Sequence, residues 1–211
     1  MAVSEGKVIT IGVAGASGAV LAQATLRLLE ADPRVARVHL VVTDAGLRLL
    51  AHELGVVAPD PKQLPQLVIG TRATKIEFLP NKDVGASIAS GSYLVDAMVV
   101  IPCSVGTLAS IANGSSEDLL ARAADVTLKE GRRLVLCIRE TPFNRVHLEN
   151  MLRAQQAGAV IMPAIPSYYH QPKTIDDLVA QYVYRVLAQL GLPQEKQFQW
   201  RGQGKSKAQE A

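Results

Sequence analysis

The run Leu134 to Ile138 ends in Arg139-Glu140-Thr141-Pro142, which sets a charged pair at the tip of an aliphatic segment. Such a pair is costly to bury unless it is partnered or put to use. Arginine offers a planar fork for phosphate oxygens, and glutamate a proton acceptor; an internal ion pair tying strand to loop would account for the same residues. Gly12-Val13-Ala14-Gly15-Ala16-Ser17-Gly18 places glycines at the end of another apolar run. Backbone amides at such a turn, with the dipole of a following helix, suit a phosphate, and Ser17 adds a hydroxyl. The spacing is G-x-x-G-x-x-G, not the dinucleotide pattern, and Asp44 lies beyond the distance of about 20 residues at which a ribose-binding acid is expected. A tight packing turn is the other reading. Ser104-Val105-Gly106-Thr107 resembles a second cradle, where Ser104 can cap a helix and Gly106 admits a flat ring or phosphate. Ordinary capping explains it equally well. Arg122 and Lys129 stand about two helical turns apart, on one face. They offer either an anion site or a solvated basic stripe. Tyr169 and Arg185 could ligate phosphate through a hydroxyl and a guanidinium fork, and both are also common surface residues. The four histidines (His39, His52, His147, His170) lack metal-ligand spacing, and no G-x-S-x-G elbow is present.

These residues need elements to hold them. Lys7 to Ala14, Val35 to Val42, Ile76 to Leu79, Ala97 to Ile101, Arg133 to Ile138 and Val160 to Met162 read as strands. Helical patterns cover Gly18 to Ala31, a stretch capped by Thr43 and running toward Leu54, Thr107 to Ala112, Asp118 to Glu130, Val146 to Ala157 and Thr174 to Leu190. Residues 55 to 75, with Pro59, Pro61 and Pro65, read as irregular. Strands alternating with helices imply an α/β, three-layer, doubly wound and mostly parallel sheet. Ligands bind beyond the carboxyl ends of such strands. The unusual residues gather there: Gly15 to Gly18, Thr43, Pro102 to Thr107, Arg139 to Pro142 and Pro163 to His170 each follow a strand.

Bulk properties narrow the class. The chain has 211 residues and no composition break, enough for one domain over 1–193 with a polar, mobile tail expected over 194–211. Hydrophobic residues are 48% and aromatics only 4%, so aliphatic side chains must build the core, as in parallel sheets. The formal charge is +3 and the pI about 8.9. No Lys/Arg block forms a nucleic-acid footprint, and Lys196, Lys205 and Lys207 read as a solvated tail. Anionic small molecules are the better match. Cys103 and Cys137 fall in or beside apolar strands and read as buried reduced thiols. No apolar run is long enough for a membrane span, and no leader pattern opens the chain, so a cytoplasmic location is expected.

The ordered set of Gly-Ala-Ser-Gly-Ala (15–19), Ala-Ser-Gly-Ser (89–92), Pro-Cys-Ser-Val-Gly-Thr-Leu (102–108) and Arg-Ala-Ala-Asp-Val-Thr-Leu-Lys-Glu (122–130) resembles the UbiX flavin prenyltransferase family. Arg-Glu-Thr-Pro-Phe (139–143), His-Leu-Glu-Asn-Met-Leu (147–152) and Tyr-Tyr-His-Gln-Pro (168–172) extend the likeness, which runs from about residue 7 to 193. The resemblance implies a flavodoxin-like or Rossmann-like subunit in a homododecamer of trimers, with sites between subunits. It implies reduced FMN held by Gly15, Ala16, Ser17, Thr43, Ser104, Val105, Gly106, Thr107 and Arg139. Dimethylallyl monophosphate would lie against Ser90, Gly91, Arg122, Lys129, Tyr169 and Arg185. Glu140 and Ser17 match positions that handle the proton at flavin N5. Arg122, Lys129, Arg139 and Arg185 would supply charge for the departing phosphate without a metal. The product, prenylated FMN, would serve a UbiD-type decarboxylase.

Two positions depart from the family pattern. Ala14 stands where many members have Thr, and Val84 where many carry a Trp that walls the prenyl pocket. The nearest rival is an FMN-dependent cysteine decarboxylase. That family typically shows Pro-Ala-Ser-Ala-Asn-Thr where this chain has Pro102 to Thr107, and the missing Asn and the Arg139-Glu140 pair count against it. A non-catalytic flavin-binding protein is a second rival, with no use for four convergent cations.

Overall fold

The computed structural model describes residues 6–200. Six strands alternate with seven helices: β1 (Lys7–Val13), α1 (Ala19–Ala31), β2 (Val35–Val42), α2 (Asp44–Leu54), α3 (Leu64–Ile69), β3 (Ile76–Pro80), β4 (Ala97–Cys103), α4 (Val105–Ala112), α5 (Leu119–Lys129), β5 (Arg133–Ile138), α6 (Arg145–Gln156), β6 (Val160–Ile161) and α7 (Ile175–Gln189). The strand order is β3-β2-β1-β4-β5-β6, and every pairing is parallel. The order reverses between β1 and β4, which makes a topological switch point there.

Alternation along the strands divides the core. Ile9, Ile11 and Val13 of β1 pack with α1, α3 and α7 on one face. Met98, Val100 and Leu136 face α4, α5 and α6 on the other. Helix α5 comes close enough to the sheet that a Cβ at Gly12 would stand 3.0 Å from Leu120. Cys103 and Cys137 are free and buried, and burial pushes the Cys137 thiol up to about 12. Both behave as small apolar core residues.

One expectation needs correction. Residues 55 to 75 are not wholly irregular, because they contain a short 3-10 turn, Pro61–Gln63, and helix α3. Pro61 and Pro65 sit in the first turns, where a missing N–H leaves no intrahelical bond unmade, so they start these elements rather than break them. Of the stretch 194–211, the described residues up to Trp200 make contacts with the domain. Gln194 donates to Asp32 at 3.3 Å, Gln181 to the Lys196 carbonyl at 3.1 Å, and the Phe198 amide to Gln181 at 2.8 Å. The Arg34 guanidinium, bonded to Asp32 at 2.6 Å, holds that carboxyl down to about 2. Lys205 and Lys207 lie outside the described residues.

Candidate functional site

Four strand ends are laced together at the crest of the sheet. Ala14 N–H donates to the Pro102 carbonyl at 3.1 Å, Thr43 N–H to Val13 at 3.0 Å, and Arg139 N–H to Cys103 at 3.1 Å. This brings the Gly15-Ala16-Ser17 turn, Thr43, the Ser104 to Thr107 segment and Arg139-Glu140 to one edge. The Thr43 hydroxyl caps α2 through the Gly46 amide at 3.0 Å, and Ser104 caps α4 through the Thr107 amide at 3.2 Å and meets the Thr107 hydroxyl at 3.0 Å. Both capping readings therefore hold. A Cβ at Gly106 would meet nothing nearer than 3.9 Å, so this glycine with Val105 leaves open space before α4.

The Gly15 to Gly18 turn differs from its expectation in one respect. Gly18 adopts φ +122°, a conformation that suits glycine. Its amide and that of Ala19 donate to the Glu53 carboxylate at 3.0 and 2.8 Å. The anion that these amides meet is the Glu53 carboxylate, because α2 reaches back far enough to place a side chain there. Gly15 lies so tightly on α2 that a Cβ would collide with the Ala45 methyl. Burial raises the Glu53 carboxyl, but bonds from the Ser17 hydroxyl and the Ala19 and Gly18 amides, with the Arg139 charge, outweigh it and hold the group below the ordinary range. Ser17 is therefore hydrogen-bonded to Glu53, and the Arg139 charge acts on the same carboxylate.

Beside these residues opens a cavity of about 270 Å³, lined by Ser17, Gly18, Arg139, Ala164, Pro166 and Tyr182. The Arg139 Nε is buried with no partner. An orphaned buried donor of that kind is worth roughly 1–3 kcal/mol when satisfied, and a planar heteroaromatic edge rich in acceptors fits it. The residues present thus fit a flavin ring edge against Ser17 and Arg139. Glu140 is half-buried and accepts from the Thr141 amide at 2.9 Å, leaving its second oxygen available. The alternative reading of Arg139 and Glu140 as an internal ion pair finds no support in the described contacts, and the Arg139 charge acts instead on the Glu53 carboxylate.

A second group forms on α5. Arg122 Nε donates to the Ala89 carbonyl at 3.2 Å and its Nη1 to Asp125 at 2.8 Å. Lys129 pairs with Glu130. A Cβ at Gly91 would collide with that pair, standing 2.7 Å from Lys129 Nζ. Ser90 and Ser92 share a hydrogen bond of 2.9 Å, and Arg132 clamps the loop by donating to the Gly91 and Tyr93 carbonyls at 2.7 and 3.0 Å. Ser90, Gly91, Arg122 and Lys129 therefore do share one surface.

Tyr169 and Arg185 stand apart from that surface. Both are exposed, and Arg185 belongs to α7, which packs on the sheet face opposite α5. Tyr169 meets Trp200 edge to face at 5.6 Å. One chain thus sorts the four expected cations into separate groups rather than one cluster. Sequence reasoning missed Glu53, Arg132 and Trp200. Glu53 and Arg132 carry no local signal, whereas an isolated Trp in a polar stretch was a visible one. Among the described residues no group of His, Cys, Asp and Glu is arranged to hold a metal, and no helix is long and apolar enough to cross a membrane.

The model of the Flavoprotein family matches residues 2–187. The flavin prenyltransferase UbiX of Halalkalibacterium halodurans is 44% identical over 194 residues, covering 92% of this chain and 93% of that protein. AnUbiX (PadA1), solved in complex with FMN and dimethylallyl pyrophosphate, superposes with a TM-score of 0.82 at 35% identity, over 94% of this chain and 100% of the other. A dodecameric FMN-dependent UbiX-like decarboxylase from Escherichia coli O157:H7 gives 0.81 at 38% identity, over 92% and 100%.

Proposed function

From the premise that this chain belongs to the Flavoprotein family, and within it to the UbiX-type flavin prenyltransferases, we propose that it joins a dimethylallyl group to reduced FMN. The observation that carries this reading is the placement of Ser17, Glu53 and Arg139 at the switch point, with a partnerless Arg139 Nε and a cavity of about 270 Å³ lined by Ser17 and Arg139. Reduced FMN, when bound, supplies the nucleophile at N5 and the second bonding position at C6. Gly15, Ala16 and Ser17, with Thr43, Ser104, Val105, Gly106, Thr107 and Arg139, would hold it. With FMN bound, Ser17, oriented by Glu53, would handle the proton at N5, and Glu140 would serve as a proton acceptor in the same region. Arg122 and Lys129, with Ser90 and Gly91, receive the phosphate of dimethylallyl monophosphate and stabilise charge as the C–O bond breaks.

Tyr169 and Arg185 complete this pocket only if a neighbouring subunit presents them, since one chain holds them on the far face. We therefore propose that the site forms between subunits of a homododecamer. Exposed apolar residues support such packing: Val146, Leu148 and Leu152 on α6 are 60%, 53% and 56% exposed, and Ile165, Tyr168 and Ile175 are also uncovered. We further propose a cytoplasmic location and delivery of prenylated FMN to a UbiD-type decarboxylase.

Anaerobic incubation with reduced FMN and dimethylallyl monophosphate, followed by mass spectrometry of the flavin, tests the assignment. A C5 increment on FMN is expected. The Lys129→Ala variant should retain FMN yet lose transfer. Normal transfer by that variant would remove Lys129 from the phosphate site, and CO2 release from an aromatic acid with unchanged flavin would replace the whole reading.

A further inference from the structure

Each candidate phosphate cation on α5 already has its own carboxylate. Arg122 Nη1 sits 2.8 Å from Asp125, and Lys129 is paired with Glu130. The four side chains are each about a third to a half exposed, so an entering anion can reach them. On the Lys129 side the pair lies directly against the Gly91 backbone. Gly91 has no side chain, and any Cβ there would collide with the Lys129–Glu130 pair. Arg132 fixes the Gly91 backbone against it at 2.7 Å.

A phosphate-releasing transferase faces a physical difficulty. The cations that stabilise the departing phosphate also retain it as inorganic phosphate after the bond has broken, and uniform binding of that kind does nothing for turnover. A carboxylate resident on each cation changes the balance, because a phosphate must displace it on entering and is displaced by it on leaving.

Resting on the reading of α5 as the phosphate-binding helix, we infer that Asp125 and Glu130 are internal competitors for Arg122 and Lys129, and that they set phosphate affinity and so the rate of phosphate release. They do not touch the reacting atoms; they act through the two cations. Glu130 is held below its ordinary range by the Lys129 bond and charge, as a carboxylate that stays ionised through the cycle requires.

The test is calorimetric titration of the FMN-loaded protein with inorganic phosphate, together with steady-state kinetics on dimethylallyl monophosphate. Asp125→Asn and Glu130→Gln should each bind inorganic phosphate about five-fold more tightly, as expected for loss of one partly exposed competing charge. KM should fall with kcat, and inhibition by added phosphate should become stronger. Asp125→Glu should restore the parent affinity. Glu195→Gln, which removes an equal charge beside Arg34 on the side of the sheet covered by α1 and α7, should leave phosphate binding unaltered. Weaker or unchanged phosphate binding in both neutral variants would overturn the inference and make the carboxylates mere braces for the cations. Should Asp125→Asn fail to fold, Glu130→Gln gives the same reading from the neighbouring pair. Absence of prenyl transfer by the parent protein would instead overturn the functional assignment, and the phosphate titration would still decide the role of the two carboxylates.

Discussion

Glu53 lies near the C-terminal end of α2, yet its carboxylate serves the first amides of α1 and the Ser17 hydroxyl. Its depressed pKa means that the stability it adds is fully present above the ordinary glutamate value and is lost as pH falls through the lower folded value. Glu53→Gln keeps one acceptor oxygen for the backbone but cancels the charge that faces Arg139 and orients Ser17. Prenyl transfer is expected to drop about 100-fold, the scale of a lost proton-handling group, while FMN affinity changes much less. Stopped-flow turnover beside a flavin titration measures both. A rate within a few-fold of the parent would exclude Glu53 from proton handling. Arg139 itself was visible as an oddity at the end of an apolar strand. Its partner was not, since a bond from Gly18 to Glu53 spans most of the intervening βα unit and leaves no trace in local pattern.

At the scale of elements, α5 is the part on which the proposed phosphate site depends. Asp118 caps it through the Ala121 amide at 2.8 Å, and Asn81 bridges from the end of β3 to Asp118 and to the Leu120 amide at 3.0 Å each. Asp118→Ala should destabilise the protein by about 1 kcal/mol, the usual weight of an N-cap, read as a lowered urea midpoint. It should also raise KM for dimethylallyl monophosphate, because Arg122 lies in the first turns of that helix. An unshifted midpoint would show that Asn81 alone holds the end. The helices with strong caps were legible in sequence, since Thr43, Ser104, Asp118 and Thr174 each precede an amphipathic run and each accepts from a helix amide. Helix α3 was not, because its six residues are too short to show a period and its proline reads equally as a breaker.

At the scale of the whole molecule, two-sided burial has the greatest consequence. Helices α5 and α7 cover opposite faces of the sheet, so Lys129 and Arg185 of one chain serve different surfaces. If the phosphate pocket joins α5 of one subunit to α7 of another, two inactive variants should rescue each other. Arg122→Ala/Lys129→Ala subunits refolded together with Tyr169→Phe/Arg185→Ala subunits are expected to recover measurable transfer that neither shows alone. Mixtures that stay inactive, with assembly verified by sedimentation, would place all these residues in one chain's site or in none.

Alternating aliphatic runs and helical stretches were enough to establish a doubly wound parallel sheet, because strand and helix periods are properties of the local chain. The same reading located the chemistry at the strand ends, since that is where Gly15 to Ser17, Ser104 to Thr107 and Arg139-Glu140 interrupt apolar segments. Only the tertiary structure decided who partners whom: Glu53 with Ser17 and the α1 amides, Asp125 and Glu130 with Arg122 and Lys129, Trp200 with Tyr169. Those contacts depend on how α1, α2, α5 and α7 dock on the sheet, and docking is fixed by side-chain packing across the fold rather than by any spacing along the chain.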